Sequence, residues 1–463
     1  MNTETKKGFS RAFWIANIAE LLERGAYYGV FIVITLYLSR ILSFNDIEAG
    51  YIAGIFSAGL YFLPPFSGGI ADKIGFKGAL LIAFVLLTIG YFGMGIFPVI
   101  LEKNGLVNYG SNIVFNGLET SYYRWFIIPI MIIIMIGGSF IKSVITGTVA
   151  KETTESNRAK GFSIFYMMVN IGAFSGKTIV APLRKAMGDI GLINLNYFAA
   201  GMTFLAFILV FFFYHSMKTE GKGKSLKEIW DAFVKVLLNY RLVILILIVS
   251  GFWIVQHQLY ATMPKYVLRM VGEDATPSWY ANVNPLIVVL TVAFVTQMMR
   301  SKTPLFSMTI GMFIMPLSAL TMASGNFFHH NFEIFNLSLH PVAVMMILGI
   351  VLQALAESFI SPRFLEFFSL QAPKGEEGLY LGFSHLHSFV SSLIGFIMSG
   401  YLLDKYCPEP KLFATHEEWQ IAAANAHYIW YYFAVISFLA GLSLLIFGKV
   451  TRTIDKGKLV NVK

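Results

Sequence analysis

The sequence predicts an all-α membrane protein with twelve transmembrane helices in two groups of six. Of its 463 residues, 56% are hydrophobic and only 13% are charged, which is too apolar for a soluble globular domain. Apolar blocks of about 20 residues, the length of a membrane-spanning helix, recur along the chain. Such long blocks exclude a transmembrane β-barrel, whose strands are shorter and alternate in polarity. The single cysteine, Cys407, excludes a disulfide framework and a zinc cluster.

Charged or turn-rich breaks between the apolar blocks define the limits of the predicted spans. The first group covers residues 12–39, 47–71, 78–101, 125–150, 160–186 and 192–214. The second group covers residues 241–271, 278–299, 304–324, 341–370, 377–403 and 427–448. The first span is too long, and carries too many charges, to be a cleavable signal peptide.

The distribution of basic residues predicts the orientation of the chain. With a cytoplasmic N-terminus, 22 of the 35 Lys and Arg residues fall in inside loops and tails and nine fall outside. The positive-inside rule then places both termini in the cytoplasm and explains the net charge of +9 without nucleic acid. The expected segments are a cytoplasmic N-terminus (1–11), a six-helix bundle (12–214), a cytoplasmic linker (215–240), a second six-helix bundle (241–449) and a cytoplasmic tail (450–463).

The linker and the span count both bear on function. Apolar residues fall at helical spacing from Leu226 to Leu238, with charged residues on the other face, so we expect a helix lying at the membrane interface. Two groups of six spans favour a transporter built of two similar halves, with its site between them near the midplane.

Ionisable residues cluster in the first span, where each costs on the order of 2.5–3.5 kcal/mol to insert. Glu20, Glu23, Arg24 and Tyr27 share one helical face. Glu20 precedes Arg24 by four residues, the favourable order for an intrahelical pair. This pairing leaves Glu23 as a carboxylate that can take up a proton or a cation. The alternative is a self-neutralised cluster that the bundle tolerates.

Two other spans each carry an ionisable residue at depth. Lys142 follows the small residues Gly137, Gly138 and Ser139, roughly 12 Å from the cytoplasmic end of its span, where it either faces inward or snorkels. Glu357 lies near the middle of the tenth span. A carboxylate at that depth must be protonated or paired, which couples it to pH or to a charged ligand.

Several further polar residues lie within the spans and allow two interpretations. Asn170, Asn284, Gln256 and Gln258 either join helices by hydrogen bonds or contact a ligand.

Six titratable or charged residues in the spans also need an interpretation: His257, His385, His387, Lys177, Arg363 and Glu366. The histidines suit ordinary packing better than a proton relay, because positions 385 and 387 lie on different helical faces. Lys177 lies near the outer end of its span and is expected to snorkel. Arg363 and Glu366 form either an intrahelical pair or half of an inner gate.

These residues together resemble the proton-dependent oligopeptide transporters, a branch of the major facilitator superfamily. The run from Glu20 to Gly29 resembles that family's motif Glu-x-x-Glu-Arg-Phe-x-Tyr-Tyr-Gly, and Gly137 to Lys142 resembles its Gly-x-Gly-x-x-Lys. The other matching segments are Gly68–Gly75, Phe165–Gly172, Phe252–Trp253 with Gln258, Asn284–Pro285, and Glu357 with Ser361–Pro362.

The resemblance implies a major facilitator fold and proton-driven import of di- or tripeptides by alternating access in a cell membrane. It implies no cofactor, no metal and no enzymatic activity, and we expect a functional monomer. The proton-coupling residues would be Glu20, Glu23, Arg24, Lys142 and Glu357. The substrate-binding residues would be Tyr27, Tyr28, Lys142, Asn170, Gln258, Asn284 and Glu357.

The chain departs from the family pattern at several of these positions. Phe31 occupies the position of a second arginine that peptide-binding members usually carry, and Gly25 replaces the phenylalanine of the first motif. Ser143 and Val144 replace Pro-Asn, Phe364 replaces a glycine, and Lys177 stands where proline is common. The missing arginine and the extra cations Lys177 and Arg363 support an alternative cargo, a carboxylate-rich metabolite such as a carboxylate siderophore.

Two classes outside transport are less well supported. An enzyme needs a nucleophile, a metal cluster or a cofactor motif, and the sequence shows none of these patterns. A receptor would bind its ligand regardless of the proton gradient.

Overall fold

Long helices account for most of the computed structural model, which describes residues 8–109, 118–154, 157–215, 225–334, 337–370 and 383–460. In the first part of the chain the helices are α1 (Arg11–Phe31), α2 (Ile34–Leu36), α3 (Asp46–Phe62), α4 (Pro64–Ile74), α5 (Phe76–Lys103), α6 (Ile127–Lys151), α7 (Arg158–Met187), α8 (Ile190–Phe213) and α9 (Leu226–Leu238). The later helices are α10 (Tyr240–Gln256), α11 (Gln258–Ala261), α12 (Met263–Val271), α13 (Pro277–Tyr280), α14 (Val283–Met298), α15 (Pro304–Ser324), α16 (Pro341–Leu370), α17 (Leu386–Tyr406), α18 (His416–Ala422) and α19 (Tyr428–Val460).

Shorter elements complete the secondary structure. Single 3-10 or π turns lie at Tyr37–Ile41, Tyr122–Phe126, Gly325–Phe327 and Pro410–Leu412. Strands β1 (Phe332–Ile334) and β2 (Leu337–Leu339) form an antiparallel pair in which Phe332 lies opposite Leu339. No sequence pattern predicted this pair of strands.

The helices agree with the predicted membrane class. Among the described residues, ten helices are long and apolar enough to cross a membrane, and twelve if each of two bent pairs is one span. The bends are 46° between Arg11–Phe31 and Ile34–Ile41, and 47° between α3 and α4. A run of β-branched residues around Val33 coincides with the first bend, and Pro64 begins the helix after the second. The prediction of an all-α membrane fold is confirmed.

The span limits agree best where the apolar run is uninterrupted. Helix α16 covers Pro341–Leu370, the predicted tenth span, whereas the predicted seventh span is divided among α10, α11 and α12. Part of the predicted eleventh span, 377–382, lies outside the described residues. The linker forms helix α9 as expected, and its exposed apolar residues include Leu226 and Trp230.

The chain divides into two compact units. The first unit comprises Met1–Phe44 and Gly59–Asp231, and the second comprises Asn45–Ala58 and Ala232–Lys463. Most of α3 therefore groups with the second unit, whereas the expected boundary lay at the linker. In the first unit α1 packs against α7 and α8, and in the second α16 packs against α14 and α15.

Glycines set the separation of α1 and α7. A Cβ atom added at Gly172 would lie 2.5 Å from the carbonyl oxygen of Leu21, and one added at Gly176 would overlap the carbonyl group of Gly25. A Cβ atom at Gly29 would lie 3.2 Å from the carbonyl oxygen of Gly176. The two helices therefore approach as closely as small residues allow, and we call this contact the glycine crossing.

Candidate functional site

Arg24 is the centre of a buried ion cluster in the first unit. Its Nε lies 3.2 Å from Glu20 Oε1, and its guanidinium also contacts the carboxylate of Glu23. Glu20, Glu23 and Arg24 are 3%, 1% and 7% exposed. We call these three residues the Arg24 cluster. Removing one member of such a cluster leaves an uncompensated buried charge.

The pairing within the Arg24 cluster differs from the sequence expectation. Glu23 is not left over, because the guanidinium contacts both carboxylates. The forked donors of arginine explain this, since residues 20, 23 and 24 lie on one helical face. The atom without a hydrogen-bond partner is instead Glu20 Oε2, which is buried. An oxygen in that position is available to carry a proton.

Aromatic rings and a second cation adjoin the Arg24 cluster. The guanidinium carbon of Arg24 lies 5.3 Å from the centre of the Tyr27 ring, and Tyr27 and Tyr28 meet edge to face at 5.1 Å. Lys142 Nζ lies 3.6 Å from the centre of the Tyr61 ring, in cation–π contact. The charge of Lys142 also acts on both Glu20 and Glu23. Lys142 therefore faces inward, and Tyr61 is a neighbour that sequence reasoning missed because nothing distinguishes it from other span tyrosines.

Asn170 lies on α7, the helix that packs against α1. Its Nδ2 donates a hydrogen bond of 2.8 Å to the carbonyl oxygen of Tyr166, one turn earlier. The side chain is partly exposed. A part in substrate binding stays a prediction for this residue.

Lys177 does not snorkel as expected. Its side chain is only 1% exposed, and Nζ lies 5.7 Å from the centre of the Tyr28 ring. The sequence expectation was wrong because the glycine crossing places this part of α7 against α1. Phe31, at the position of the missing arginine, stacks on Tyr27 with ring centres 4.9 Å apart.

The second unit holds a carboxylate bound by two amides. Glu357 Oε2 accepts hydrogen bonds from Gln256 Nε2 at 2.7 Å and from Asn284 Nδ2 at 3.2 Å. The structure thus brings Glu357 and Asn284 together and adds Gln256, for which the sequence left two interpretations open. Gln256 Oε1 and the indole nitrogen of Trp253 are buried and have no hydrogen-bond partner. A buried polar atom without a hydrogen-bond partner costs free energy unless another group forms a hydrogen bond with it.

Gln258 lies in a different environment from the one that the resemblance implied. It is 1% exposed, donates to the carbonyl oxygen of Ile254 at 2.6 Å and accepts from Thr262 Oγ1 at 2.6 Å. A second, longer bond of 3.3 Å reaches the carbonyl oxygen of Gly395. Both ends of the amide are bonded within the protein, so Gln258 joins helices in this structure, and its part in substrate binding stays a prediction.

Arg363 and Glu366 form the intrahelical pair that was one of the two interpretations. Arg363 Nη1 lies 2.6 Å from Glu366 Oε2, three residues further along α16. Arg363 is buried, whereas the side chain of Glu366 is 43% exposed. The participation of this pair in an inner gate stays a prediction.

The histidines are held by serines and backbone carbonyl groups. His387 is buried, with Nδ1 2.5 Å from the carbonyl oxygen of Ser384 and Nε2 3.0 Å from Ser388 Oγ. His257 Nδ1 lies 2.8 Å from the carbonyl oxygen of Trp253. His385 is exposed. These contacts agree with ordinary packing and hydrogen bonding.

A second buried ion cluster was missed by the sequence analysis. Asp46 Oδ1 lies 2.6 Å from Lys265 Nζ, and Asp46 Oδ2 lies 2.7 Å from Arg269 Nη1. Arg269 Nη2 also lies 3.1 Å from Glu409 Oε2. The four-residue spacing of Lys265 and Arg269 puts both cations on one helical face, which was the available signal. Their acidic partners lie too far along the chain to be found from spacing.

The chemistry available to the site is ionic and amide chemistry. Within the ranges that the structure describes, no group of three or more His, Cys, Asp or Glu residues is placed to hold a metal ion. The arrangement can exchange protons and ion-pair partners at two places, the buried Arg24 cluster and the partly buried Glu357.

The chain is similar to known transporters over most of its length. A family model described as Major Facilitator Superfamily matches residues 16–339. Dipeptide and tripeptide permease B of Shigella dysenteriae serotype 1 is 24% identical over 470 residues, covering 87% of this chain and 89% of the permease. The permease B of Yersinia enterocolitica is 24% identical over 266 residues, which are 56% of this chain and 48% of that relative.

A solved structure supports the same fold. It comes from work on substrate recognition in proton dependent oligopeptide transporters, with a TM-score of 0.70, 17% identity, and coverage of 96% of this chain and 99% of that one. The resemblance drawn from the sequence motifs is therefore confirmed. The chain belongs to the major facilitator superfamily; it is similar to dipeptide and tripeptide permeases and, in fold, to a solved structure from work on proton dependent oligopeptide transporters.

Proposed function

We propose that this chain is a proton-coupled secondary active importer of di- and tripeptides that works by alternating access. The observation that carries the proposal is the Arg24 cluster, in which one guanidinium holds two buried carboxylates. Adding a proton to either acid changes the ion pairs that the cation can make. The dipeptide and tripeptide permeases among the relatives support the same cargo.

Proton binding and peptide binding are coupled through the cations. A proton on Glu20 or Glu23 removes one negative charge, and this releases Arg24 or Lys142 from its partner. The released cation then holds the carboxylate of the substrate. Each ligand consequently favours binding of the other, and the coupling free energy is the same in both directions. Because Glu20 Oε2 has no hydrogen-bond partner, Glu20 is favoured over Glu23 as the acid that accepts the proton.

Glu357 is the group that recognises the positive end of the substrate. Its carboxylate is held by the amides of Gln256 and Asn284, which are neutral donors. A substrate amino group is charged and so forms stronger hydrogen bonds with a carboxylate than these amides do. Binding therefore replaces a neutral donor with a charged one. Tyr27, Tyr28 and Asn170 are proposed to contact the substrate as well.

Transport follows from a shift of population between outward-open and inward-open states. Both termini lie in the cytoplasm, the protein acts as a monomer in the cell membrane, and the proton gradient supplies the driving force. The positive-inside distribution of Lys and Arg supports this orientation.

Uptake into proteoliposomes tests the proposal. Purified protein is reconstituted, an inward proton gradient is imposed, and accumulation of labelled Ala-Ala is followed with and without a protonophore. We expect accumulation above the outside concentration that collapses when the protonophore is added. Protein-free liposomes are the control. Absence of uptake, or accumulation that ignores the protonophore, would overturn the proposal.

A carboxylate-rich solute is the second candidate cargo. The buried cation Lys177 favours it, because it lies outside the resemblance motifs. Thermal-shift measurements with citrate and with Ala-Ala separate the two candidates. Stabilisation by citrate together with no uptake of Ala-Ala would favour this second cargo over peptides.

A further inference from the structure

Gln353 is a buried side chain of the second unit that the proposed mechanism does not use. It lies on α16, within the apolar segment Pro341–Phe367 and about twelve residues, or roughly 18 Å, from the start of that segment. Its exposed fraction is 1%. A buried amide at this depth has no water to bind, so it must form its hydrogen bonds within the protein. The group that it binds therefore indicates what it does.

The partner of Gln353 is a backbone carbonyl group at a helix break. Helix α10 ends at Gln256, and α11 begins two residues later. In an unbroken helix the N–H of Tyr260 would donate to the Gln256 carbonyl oxygen, but here it donates to that of His257 at 3.0 Å. Gln353 Nε2 donates to the Gln256 carbonyl oxygen at 3.2 Å and lies 3.5 Å from that of Val255. Gln353 thus supplies the donor that the break has directed elsewhere.

The side chain of Gln256 is held by the same helix. Gln256 Nε2 donates to Glu357 Oε2 at 2.7 Å. Gln353 and Glu357 are four residues apart on α16 and so lie on one face of it. Gln256 is therefore attached to α16 at two points, through its backbone by Gln353 and through its side chain by Glu357. We call these three residues the Gln256 clamp.

The backbone contact sets where the Gln256 amide can reach. A glutamine side chain has several rotatable bonds, so its amide stays bonded to Glu357 only while its backbone keeps a fixed distance from α16. Without the bond from Gln353, the end of α10 loses one of its attachments to α16. The bond from Asn284 to Glu357 is longer, at 3.2 Å, and does not involve α10. We therefore expect Gln353 to influence the orientation of the carboxylate through Gln256.

The oxygen of the Gln256 amide indicates the kind of ligand that the clamp suits. Gln256 Oε1 is buried and has no hydrogen-bond partner, and it belongs to the amide that donates to Glu357. An ammonium group carries three donors, so it can bind a carboxylate and an amide oxygen together. A ligand without an amine leaves Oε1 unsatisfied, which costs free energy.

We propose that Gln353 is a positioning residue for recognition of the amino group of the substrate. Its hydrogen bond to the Gln256 carbonyl oxygen holds the Gln256 amide in place, and that amide holds the carboxylate of Glu357. Gln353 acts through Gln256 and does not touch the substrate. This inference rests on the proposed function, in which Glu357 binds the amino group.

Competition measurements in proteoliposomes test the inference. Uptake of labelled Ala-Ala is inhibited with Ala-Ala or with N-propionyl-alanine, which is Ala-Ala with its amino group replaced by hydrogen. We expect the wild-type protein to prefer Ala-Ala by about tenfold, the effect of one hydrogen bond to a charged group. Gln353→Met keeps the length of the side chain but removes the donor, and it should lower this preference by about threefold or more.

Ser318→Ala is the matched control. Ser318 Oγ is buried and donates to the carbonyl oxygen of Gly349 at 2.8 Å, so this variant also removes a bond between a side chain and a backbone carbonyl group at α16. Gly349 lies eight residues before Glu357, roughly 12 Å along the helix. The variant should lose stability as Gln353→Met does and keep the wild-type preference.

A double-mutant cycle tests whether Gln353 acts through Gln256. Gln256→Met should also lower the preference for Ala-Ala, because the amide that holds Glu357 is gone. Adding Gln353→Met to Gln256→Met should then lower the preference little further, since the two residues form one chain of contacts. Independent residues would instead give multiplied effects.

The outcomes separate this inference from the proposed function. Wild-type protein that takes up no Ala-Ala overturns both. Uptake of Ala-Ala without a preference over N-propionyl-alanine leaves peptide transport standing and overturns the inference, and this result needs no variant to fold. An unchanged preference in folded Gln353→Met, or an equal loss in Ser318→Ala, overturns the inference alone. An unchanged preference in Gln256→Met overturns it even if Gln353→Met does not fold, and multiplied effects in the double variant do so as well.

Discussion

At the scale of single residues, Arg24 links the ion pairing of Glu20 to that of Glu23. Its guanidinium contacts Glu20 and Glu23 together, so a change at one acid alters the pairing of the other. Lys142 adds a second cation whose charge acts on both acids. Coupling of protons to transport is therefore expected to depend on these side chains more than binding itself does.

We expect Glu23→Gln and Lys142→Ala each to abolish uptake driven by a proton gradient. The glutamine can no longer exchange a proton, and the alanine removes the cation that changes partners. Counterflow exchange, which needs no net proton movement, should be less affected in at least one of the two variants. Lys151→Ala, at the exposed end of the same helix as Lys142, is the control and should retain uptake. Wild-type accumulation in both variants would contradict the proposed coupling.

A second residue-scale prediction concerns Gln258. Its amide is bonded at both ends within the protein, so Gln258→Leu should remove its hydrogen bonds to the Thr262 hydroxyl and to the carbonyl oxygens of Ile254 and Gly395. The expected loss is on the order of 1–3 kcal/mol of stability, measured as a lower Tm in detergent. The KM for Ala-Ala should stay within about twofold of wild type, since a twofold change is below the usual effect of one lost hydrogen bond. A normal Tm with a much higher KM would instead support direct contact with substrate.

At the scale of elements, the glycine crossing determines how α1 and α7 carry their functional residues. Gly25 departs from the phenylalanine of the family motif, and the structure gives a reason. The carbonyl oxygen of Gly172 would lie 3.8 Å from a Cβ atom at Gly25, and Met202 Cε would lie 3.4 Å away. A large ring at this position would meet the Met202 side chain, which packs beside Gly25 where α1 contacts α8.

We expect Gly176→Ala to destabilise the protein, because the added methyl group would overlap the carbonyl group of Gly25. Overpacking of this kind costs about 1–3 kcal/mol. Gly201→Ala is the matched control, since a Cβ atom on this helical glycine meets nothing within 4 Å. Its Tm should be unchanged or higher, because alanine favours helix more than glycine does. Equal Tm values for the two variants would show that the crossing is not tightly packed.

At the scale of the whole molecule, orientation in the membrane is a property that the basic residues predict. Lys302 falls in an expected inside loop and Lys411 in an expected outside loop. Both side chains are exposed, so a cysteine at either position would be open to a reagent. Cys407 is buried, and burial raises the pKa of its thiol to about 12, which makes it unreactive near neutral pH.

Labelling with a membrane-impermeant maleimide tests the orientation. In intact cells we expect Lys411→Cys to react and Lys302→Cys to react only after the membrane is opened. The wild-type protein, which keeps Cys407 alone, is the control and should give little signal. The opposite pattern would place both termini outside the cell and reverse the proposed orientation.

Hydropathy determined the helical membrane fold, because the length of an apolar run is a local property of the chain. The agreement of the predicted tenth span with α16 illustrates this. Charged residues in such runs also predicted Glu20, Glu23, Arg24 and Glu357 as candidate site residues, since a charge in an apolar span is costly.

Only the tertiary structure decided which partner each polar side chain found. It paired Glu357 with Gln256 and Asn284, joined Gln258 to the carbonyl oxygen of Gly395, and joined Asp46 to Lys265 and Arg269. It also placed Lys177 inside the first unit, where the sequence expected a snorkelling side chain. The physical reason is that these partners are distant along the chain. Their contacts depend on helix separation, which close glycine contacts set and which no local pattern encodes.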